Sequence, residues 1–294
     1  MCTMKVSGNS KAACENLKIE ALISTVDQTD DAILERMNIQ SDAVVVNQCG
    51  EFSRREYQKD GHRIRFLDCA ERGVGLSRNT ALMRAAGDVC LFSDDDLIYR
   101  DGYEETLNKV FAAFPDADVV VFNIQSVGGI KTRYQILRPK RVRWFNFMRY
   151  GAARIAVRRD SIYRSHIFFS VLFGGGAQYS CGEDTIFLHD CLKAGMHIYA
   201  VPLTLADVDD SNSTWFRGYD DKFLADRGAL HRAMFNRMAC IQNLVYLLRH
   251  ETVWRNYGSL RRAYRLMQQG SRDYLTLGGK KQSSEERLYA RHNP

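Results

Sequence analysis

Short apolar runs alternate through the first half of the chain with stretches whose apolar residues recur every three or four positions. Ile19–Thr25, Ala43–Val46, Arg63–Leu67, Asp88–Phe92 and Asp118–Asn123 are compact, mostly apolar and bounded by polar residues, so they predict buried strands. Between them, Asp30–Met37 supplies helical residues. Tyr103–Phe114 carries Leu107, Val110, Phe111 and Phe114 at helical spacing before Pro115 closes it. A further helix is predicted from Ser77, as its cap, to the stop at Gly87, and another from Gly182-Glu183-Asp184-Thr185 to Gly195. Strand and helix alternating at this spacing predict an α/β fold with a mostly parallel sheet covered by helices on both faces.

Beyond Trp215 the period changes. Leu230, Met234, Met238, Ile241, Val245 and Leu248 predict one face of a single long helix, and Val253, Tyr257, Leu260, Tyr264 and Met267 that of a second. Arginines occupy the opposite faces, Arg237, Arg249, Arg261, Arg262 and Arg265 among them. Two readings stand: a basic amphipathic pair resting on anionic lipid, or helices packed on the preceding domain with solvated arginines. The expected organisation is a loose extension over 1–17, a catalytic domain over 18–215 and a basic helical region over 216–294.

Composition sharpens this division. The net charge is +6, but residues 211–294 hold 15 Lys/Arg against 7 Asp/Glu, leaving 26 against 28 in the rest. The basic end suits an anionic partner. The eight cysteines are scattered without a CxxC, which argues for reduced thiols in a cytoplasmic protein. Lys5, Lys11 and Glu15 interrupt any apolar leader core. The longest uncharged stretch, Ile167–Gly182, holds four glycines and is too short and polar to span a bilayer.

The chemistry is concentrated where the fourth predicted strand ends, in Asp94-Asp95-Asp96. Adjacent carboxylates repel unless a cation shares them, and hard cations take carboxylate oxygens together with the phosphates of a nucleotide. A solvated acidic turn is the alternative. Before the triplet stands Arg72-Gly73-Val74-Gly75-Leu76-Ser77-Arg78-Asn79, and some ninety residues after it the Glu183-Asp184 pair. This ordered set, over roughly 18–220, resembles the inverting family 2 glycosyltransferases of the GT-A fold, here with a C-terminal helical appendage.

The resemblance implies a nucleotide-sugar donor lying across the carboxyl edge of the sheet and a Mn²⁺ or Mg²⁺ ion on its diphosphate. Asp96 is the implied direct ligand. Asp94 stands either beside it on the metal or, like Asp95, on the ribose. Asp184, next to Glu183, is the implied base for the acceptor hydroxyl; the competing reading is a helix start whose acids favour the macrodipole. Ser24, Thr25 and Asp27 would meet the nucleotide base from the first strand, and Asn47 and Gln48 from the second. Many relatives carry acids at that second position, so uridine is a preference. Arg72 and Arg78 are candidates for the diphosphate, Arg78 equally for bracing its helix. Gly175 and Gly176 would let backbone amides approach the substrate, or simply form a mobile loop.

A second departure is the absence of His from Asp207–Trp215, where many GT-A enzymes offer a late metal ligand; an aspartate would have to substitute. Between Lys131 and Arg159 lie ten Lys/Arg and no acid, interleaved with Tyr134, Trp144, Phe145, Phe147 and Tyr150. This mixture suits a saccharide or lipid-linked glycan acceptor of bacterial surface-polysaccharide synthesis. Nucleic acid is not expected, since no nucleic-acid motif accompanies the charge. The rival functions are a nucleotidyltransferase acting on a sugar phosphate, and a non-catalytic basic RNA- or membrane-binding protein. No oligomeric state follows from the sequence.

Overall fold

The computed structural model of the chain describes residues 16–127, 134–209, 220–255 and 257–292, with side chains as far as Thr276. Its elements run β1 (Ile19–Val26), α1 (Ala32–Arg36), β2 (Asp42–Gln48), β3 (Ser53–Lys59), β4 (His62–Cys69), α2 (Val74–Leu82), β5 (Val89–Asp94), β6 (Leu97–Tyr99) and α3 (Tyr103–Ala113). Then follow β7 (Val119–Val127), β8 (Lys140–Arg141), β9 (Ile155–Arg158), α4 (Arg159–Arg164), α5 (Glu183–Lys193) and β10 (Ile198–Asp209). The C-terminal helices are α6 (Asp221–Phe235), α7 (Ala239–Arg249), α8 (Glu251–Arg255) and α9 (Leu260–His292).

One sheet takes the order β3-β4-β2-β1-β5-β9-β7-β10-β6, with β8 paired to β10. Leaving β1, the chain builds outward through β2 and β4, then returns as β5 on the other side of β1, and all three neighbouring pairs are parallel. That reversal opens a crevice at the carboxyl ends of β1 and β5, where open α/β sheets bind ligands. The sheet is mixed, however: β3, β6, β8 and β9 all pair antiparallel to their neighbours. The expectation of a mostly parallel sheet holds for the half that carries the crevice. Short antiparallel strands such as Lys140–Arg141 leave too few alternating positions to stand out in the sequence.

Apolar side chains cover both faces. Leu22, Val44 and Phe92 pack on one side, Ile23, Val45 and Leu91 on the other. Strands buried on both faces read as the continuous apolar runs seen in β1, β2 and β5.

Three local expectations need correction. Ser77 does not cap α2; the helix begins at Val74 behind Gly73, whose φ is 142°, and the Ser77 hydroxyl is buried against Ser24 Oγ at 2.9 Å. Nor does α2 reach Gly87, whose amide, like that of Ala86, donates to Glu20 Oε2. The supposed single helix through Leu230 and Leu248 is two, broken at Asn236, which has φ 45°. The break turns the apolar stripe: Leu230 and Met234 are buried, whereas Met238, Ile241 and Leu248 are exposed. The second stripe is also split, between α8 and α9.

The bundle of α6, α7 and α9 is closed by close backbone approach. A Cβ on Gly228 would lie 1.9 Å from the Met267 carbonyl oxygen, and one on Gly270 1.8 Å from that of Ala225. Among the described residues no helix is long and apolar enough to cross a membrane. The expected extension over 1–17 and the boundary at 215/216 lie almost wholly outside the described residues.

Candidate active site

Aromatic packing decides how the two acidic segments meet. Phe92, two residues before Asp94, packs edge-on against Phe169 and Phe187 at centroid distances of 4.8 and 5.5 Å, and those two rings stack at 4.3 Å. Phe187 lies one helical turn after Glu183 on α5, so docking this face onto β5 brings the start of α5 beside the end of β5. Asn79 holds the intervening loop: its amide donates to the Phe169 carbonyl and its carbonyl accepts from the Phe169 amide, both at 2.8 Å.

Between the two acids stands Arg78. It is 2% exposed, donating through Nη1 to Glu183 at 2.8 Å and through Nη2 to Asp94 at 2.6 Å. A buried guanidinium needs such partners, and the carboxylates need it equally. This placement answers one alternative: Arg78 braces β5, α2 and α5 from beneath and does not line the pocket. Gly174 lies over the same pair, since a Cβ there would come within 2.8 Å of the Glu183 carboxylate.

Above this ion pair is a cleft of about 290 Å³ walled by the carboxyl ends of β1 and β5, the start of α2 and the glycine loop. It gathers Ser24, Thr25, Gln48, Arg72, Asp94, Asp95, Asp96, Gly175 and Gly176. Thr25 Oγ1 donates to Asp95 at 2.6 Å, and the Val74 amide donates to the Gly175 carbonyl at 2.9 Å. Gln48 faces the cleft with both ends engaged, accepting from the Gly73 amide at 2.6 Å and donating to the Thr25 carbonyl at 3.3 Å.

Of the remaining candidates, Asp27 pairs with Arg72 at 2.7 Å, both side chains exposed beside the cleft. Asn47 is fully buried behind it, satisfied by the Gln28 backbone and by Asp68. Its amide is therefore spent on holding the β1–α1 turn. Glu183 and Asp184 stand behind the glycine loop and do not line the cleft itself. Asp184 has its acidity weakened, the pKa raised to about 7 by burial first and by the Glu183 carboxylate second.

Sequence reasoning missed Val26, Gly73 and Val74, which complete the cleft wall, and Gly151, where a Cβ would stand 3.4 Å from Asp184 Oδ2. Gly151 follows a basic aromatic segment and carries no local signal of its neighbour. For the absent late histidine, Asp207 is engaged by Arg100 at 2.6 Å. The antiparallel pairing of Val208 with Leu97 carries the end of β10 toward Asp96, and residues 210–215 lie outside the described residues.

An acid-tipped β5 joined through a buried arginine to an acidic helix start, beside the crevice of a helix-flanked α/β sheet, is the arrangement of a GT-A fold. Residues 52–173 match the family model "Glycosyl transferase family 2", a segment that includes the Arg72–Asn79 run and the aspartate triplet but stops before Glu183. Among solved structures, S. aureus TarS 1–349 aligns with a TM-score of 0.55 at 17% identity, over 82% of this chain and 74% of that one. TarS 1–349 in complex with UDP-GlcNAc aligns with a TM-score of 0.57 at 18% identity, over 80% and 73%. The longer S. aureus TarS structure aligns equally well, with 43% of its length covered. No curated protein matches the sequence. The chain has the GT-A fold, and its residues 52–173 are similar to the family 2 glycosyltransferases.

Proposed function

We propose that the protein is a metal-dependent, inverting glycosyltransferase that moves a sugar from a UDP-sugar to a saccharide or lipid-linked saccharide acceptor in bacterial surface-polysaccharide synthesis. The observation that carries this reading is the Glu183–Arg78–Asp94 bridge, which sets Asp184, its acidity weakened by burial, beside the acid-tipped end of β5. A carboxylate so placed can both hold and release a proton near neutral pH. The uridine preference draws support from the fold likeness to TarS, which has been solved with UDP-GlcNAc and with UDP.

The donor set fits a divalent cation. Asp94, Asp95 and Asp96 offer hard oxygens on the cleft wall, and no group of three or more His, Cys, Asp or Glu encloses a metal among the described residues. That suits an ion held by one or two carboxylates that draws its other ligands from phosphates and water. Asp96, with Asp94 beside it, would hold Mn²⁺ or Mg²⁺, which supplies Lewis-acid stabilisation of the diphosphate leaving group.

The protein's own residues do the rest. Thr25 orients Asp95 toward the ribose, Arg72 swings between Asp27 and the donor, and the Gly175–Gly176 backbone packs close to the sugar. Asp184 takes the proton of the acceptor hydroxyl as its oxygen bonds to the anomeric carbon. The bond from that carbon to the diphosphate oxygen breaks on the opposite face, inverting the centre. Glu183 pairs with Arg78 and fixes the start of α5.

Asp184→Asn tests the assignment. The amide keeps the shape and cannot accept the proton, so turnover should fall roughly 10²- to 10⁴-fold with donor affinity retained. Turnover within a few-fold of wild type would leave Asp184 as a helix-start acid only.

A further inference from the structure

Among the described residues, none covers the redirected apolar stripe on α7. Ile241, Leu244 and Leu248 are 52%, 41% and 63% exposed, and Met238 at the α6–α7 corner is 58% exposed. Leu247, Asn243 and Ala239 face the other way and are buried, so α7 is seated and its outer face is apolar. Arginines stand at both ends, Arg237 and Arg249, and from Arg227 to His250 the chain holds no Asp or Glu.

A second exposed apolar element adjoins it. Trp144 and Phe145 are 53% and 78% exposed, flanked by Arg143 and by the acid-free run from Lys131 to Arg159. The Trp144 ring lies 5.4 Å from His189, and the His189 ring 6.0 Å from Phe235, the last residue of α6. The loop thus packs, through the buried His189, near the end of α6. Apolar side chains ringed by arginine, with an exposed tryptophan at the margin, match the chemistry of the interface between headgroups and acyl chains.

We propose that α7, together with the Trp144–Phe145 loop, docks the protein onto an anionic phospholipid surface. The helix lies in the plane of the interface, burying Ile241, Leu244 and Leu248 among the upper acyl chains. Arg237, Arg249 and Arg143 meet lipid phosphates at its margins. A second copy of the chain is the poorer occupant. A twofold contact through this face would set arginines of like charge against one another, and the stripe is narrow beside the ~800 Å² per partner of a stable dimer. The proposal moves the lipid contact away from the α9 arginines. There Leu260, Ala263 and Met267 pack inward with Leu224 and Val253, and Arg262 pairs with Asp221 at 3.7 Å.

Docking does not depend on the glycosyl-transfer reading, and the test separates the two. The full chain is sedimented with vesicles of phosphatidylglycerol and phosphatidylcholine, and with phosphatidylcholine alone, beside a donor-hydrolysis assay. Wild type should bind the anionic vesicles, and less at high salt. The double variant Ile241→Ser with Leu248→Ser, and Arg237→Gln with Arg249→Gln, should each bind at least about tenfold more weakly, with hydrolysis and unfolding midpoint unchanged. Trp144→Ser with Phe145→Ser should lose a smaller part. Sedimentation of the Ile241/Leu248 variant equal to wild type overturns the proposal. So does a wild-type dimer in velocity sedimentation that the same variant converts to monomer, since the face would then belong to a second copy. Loss of hydrolysis in Asp184→Asn with vesicle binding intact would test the catalytic reading alone.

Discussion

At the carboxyl edge of the sheet a buried ionic bridge holds Arg78 between Asp94 and Glu183; in the C-terminal bundle a buried network around His231 is neutral. There His231 Nδ1 meets Asn243 Oδ1 at 2.7 Å, the Asn243 amide donates to Ser271 Oγ at 3.2 Å, and Ser271 donates to the Gly228 carbonyl at 2.7 Å. Burial, with Arg227 nearby, lowers the His231 pKa to about 3, so the imidazole stays uncharged. The first arrangement carries a field to the site above it and is costly to break. The second ties three helices together without charge and needs only close approach.

The largest effect should come from breaking the ionic side. Arg78→Met leaves Asp94 and Glu183 facing each other without a cation and should cost about 3–5 kcal/mol in urea unfolding. A loss below about 1 kcal/mol would mean that water reaches the pair and that its burial has been overstated. On the neutral side, Gly228→Val forces a side chain into the Met267 backbone. About 1–3 kcal/mol should be lost. Amide exchange should quicken in α6, α7 and α9 while β1 and β5 keep their protection. Equal quickening in the sheet would show that the bundle and the sheet unfold as one unit.

A pH dependence is carried by Asp184. Its folded pKa is raised from the usual 3.8 to about 7, so the native state binds a proton that the unfolded chain releases. Its contribution therefore disfavours folding progressively as pH rises from about 4 through about 7. If Asp184 is also the base, turnover should climb roughly tenfold per unit up to about pH 7 and then level. Asp184→Asn should flatten the stability profile over this window, as measured by thermal unfolding; an unchanged slope would place the titrating group elsewhere.

Much of the sheet edge was legible because its signals are local. The runs at β1, β2 and β5 announced buried strands, and the aspartates at the end of an apolar strand announced an acidic cleft wall. What the residues around Arg78 do was not legible. Whether a guanidinium lines a pocket or lies beneath it depends on what packs above, and here Asn79 and three phenylalanines from distant segments decide it. Asn47 was misjudged for the same reason: its partners Gln28 and Asp68 come together only once β2 pairs with β4.

In the bundle the apolar period was read correctly and its meaning was not. A stripe of Leu, Met and Ile at steps of three and four specifies a helical face, but a single positive φ at Asn236 turns that face from the core to the outside. Sequence by itself determined the strand–helix alternation, the acidic tip of β5, the glycine loop and the basic character of the C-terminal region, because each is written in neighbouring residues. Only the tertiary structure decided that Arg78 bridges two acids, that Asp184 is held near neutrality and that α7 presents leucines outward. Burial and charge pairing are properties of groups far apart in the chain, and they exist only after the sheet and helices have met.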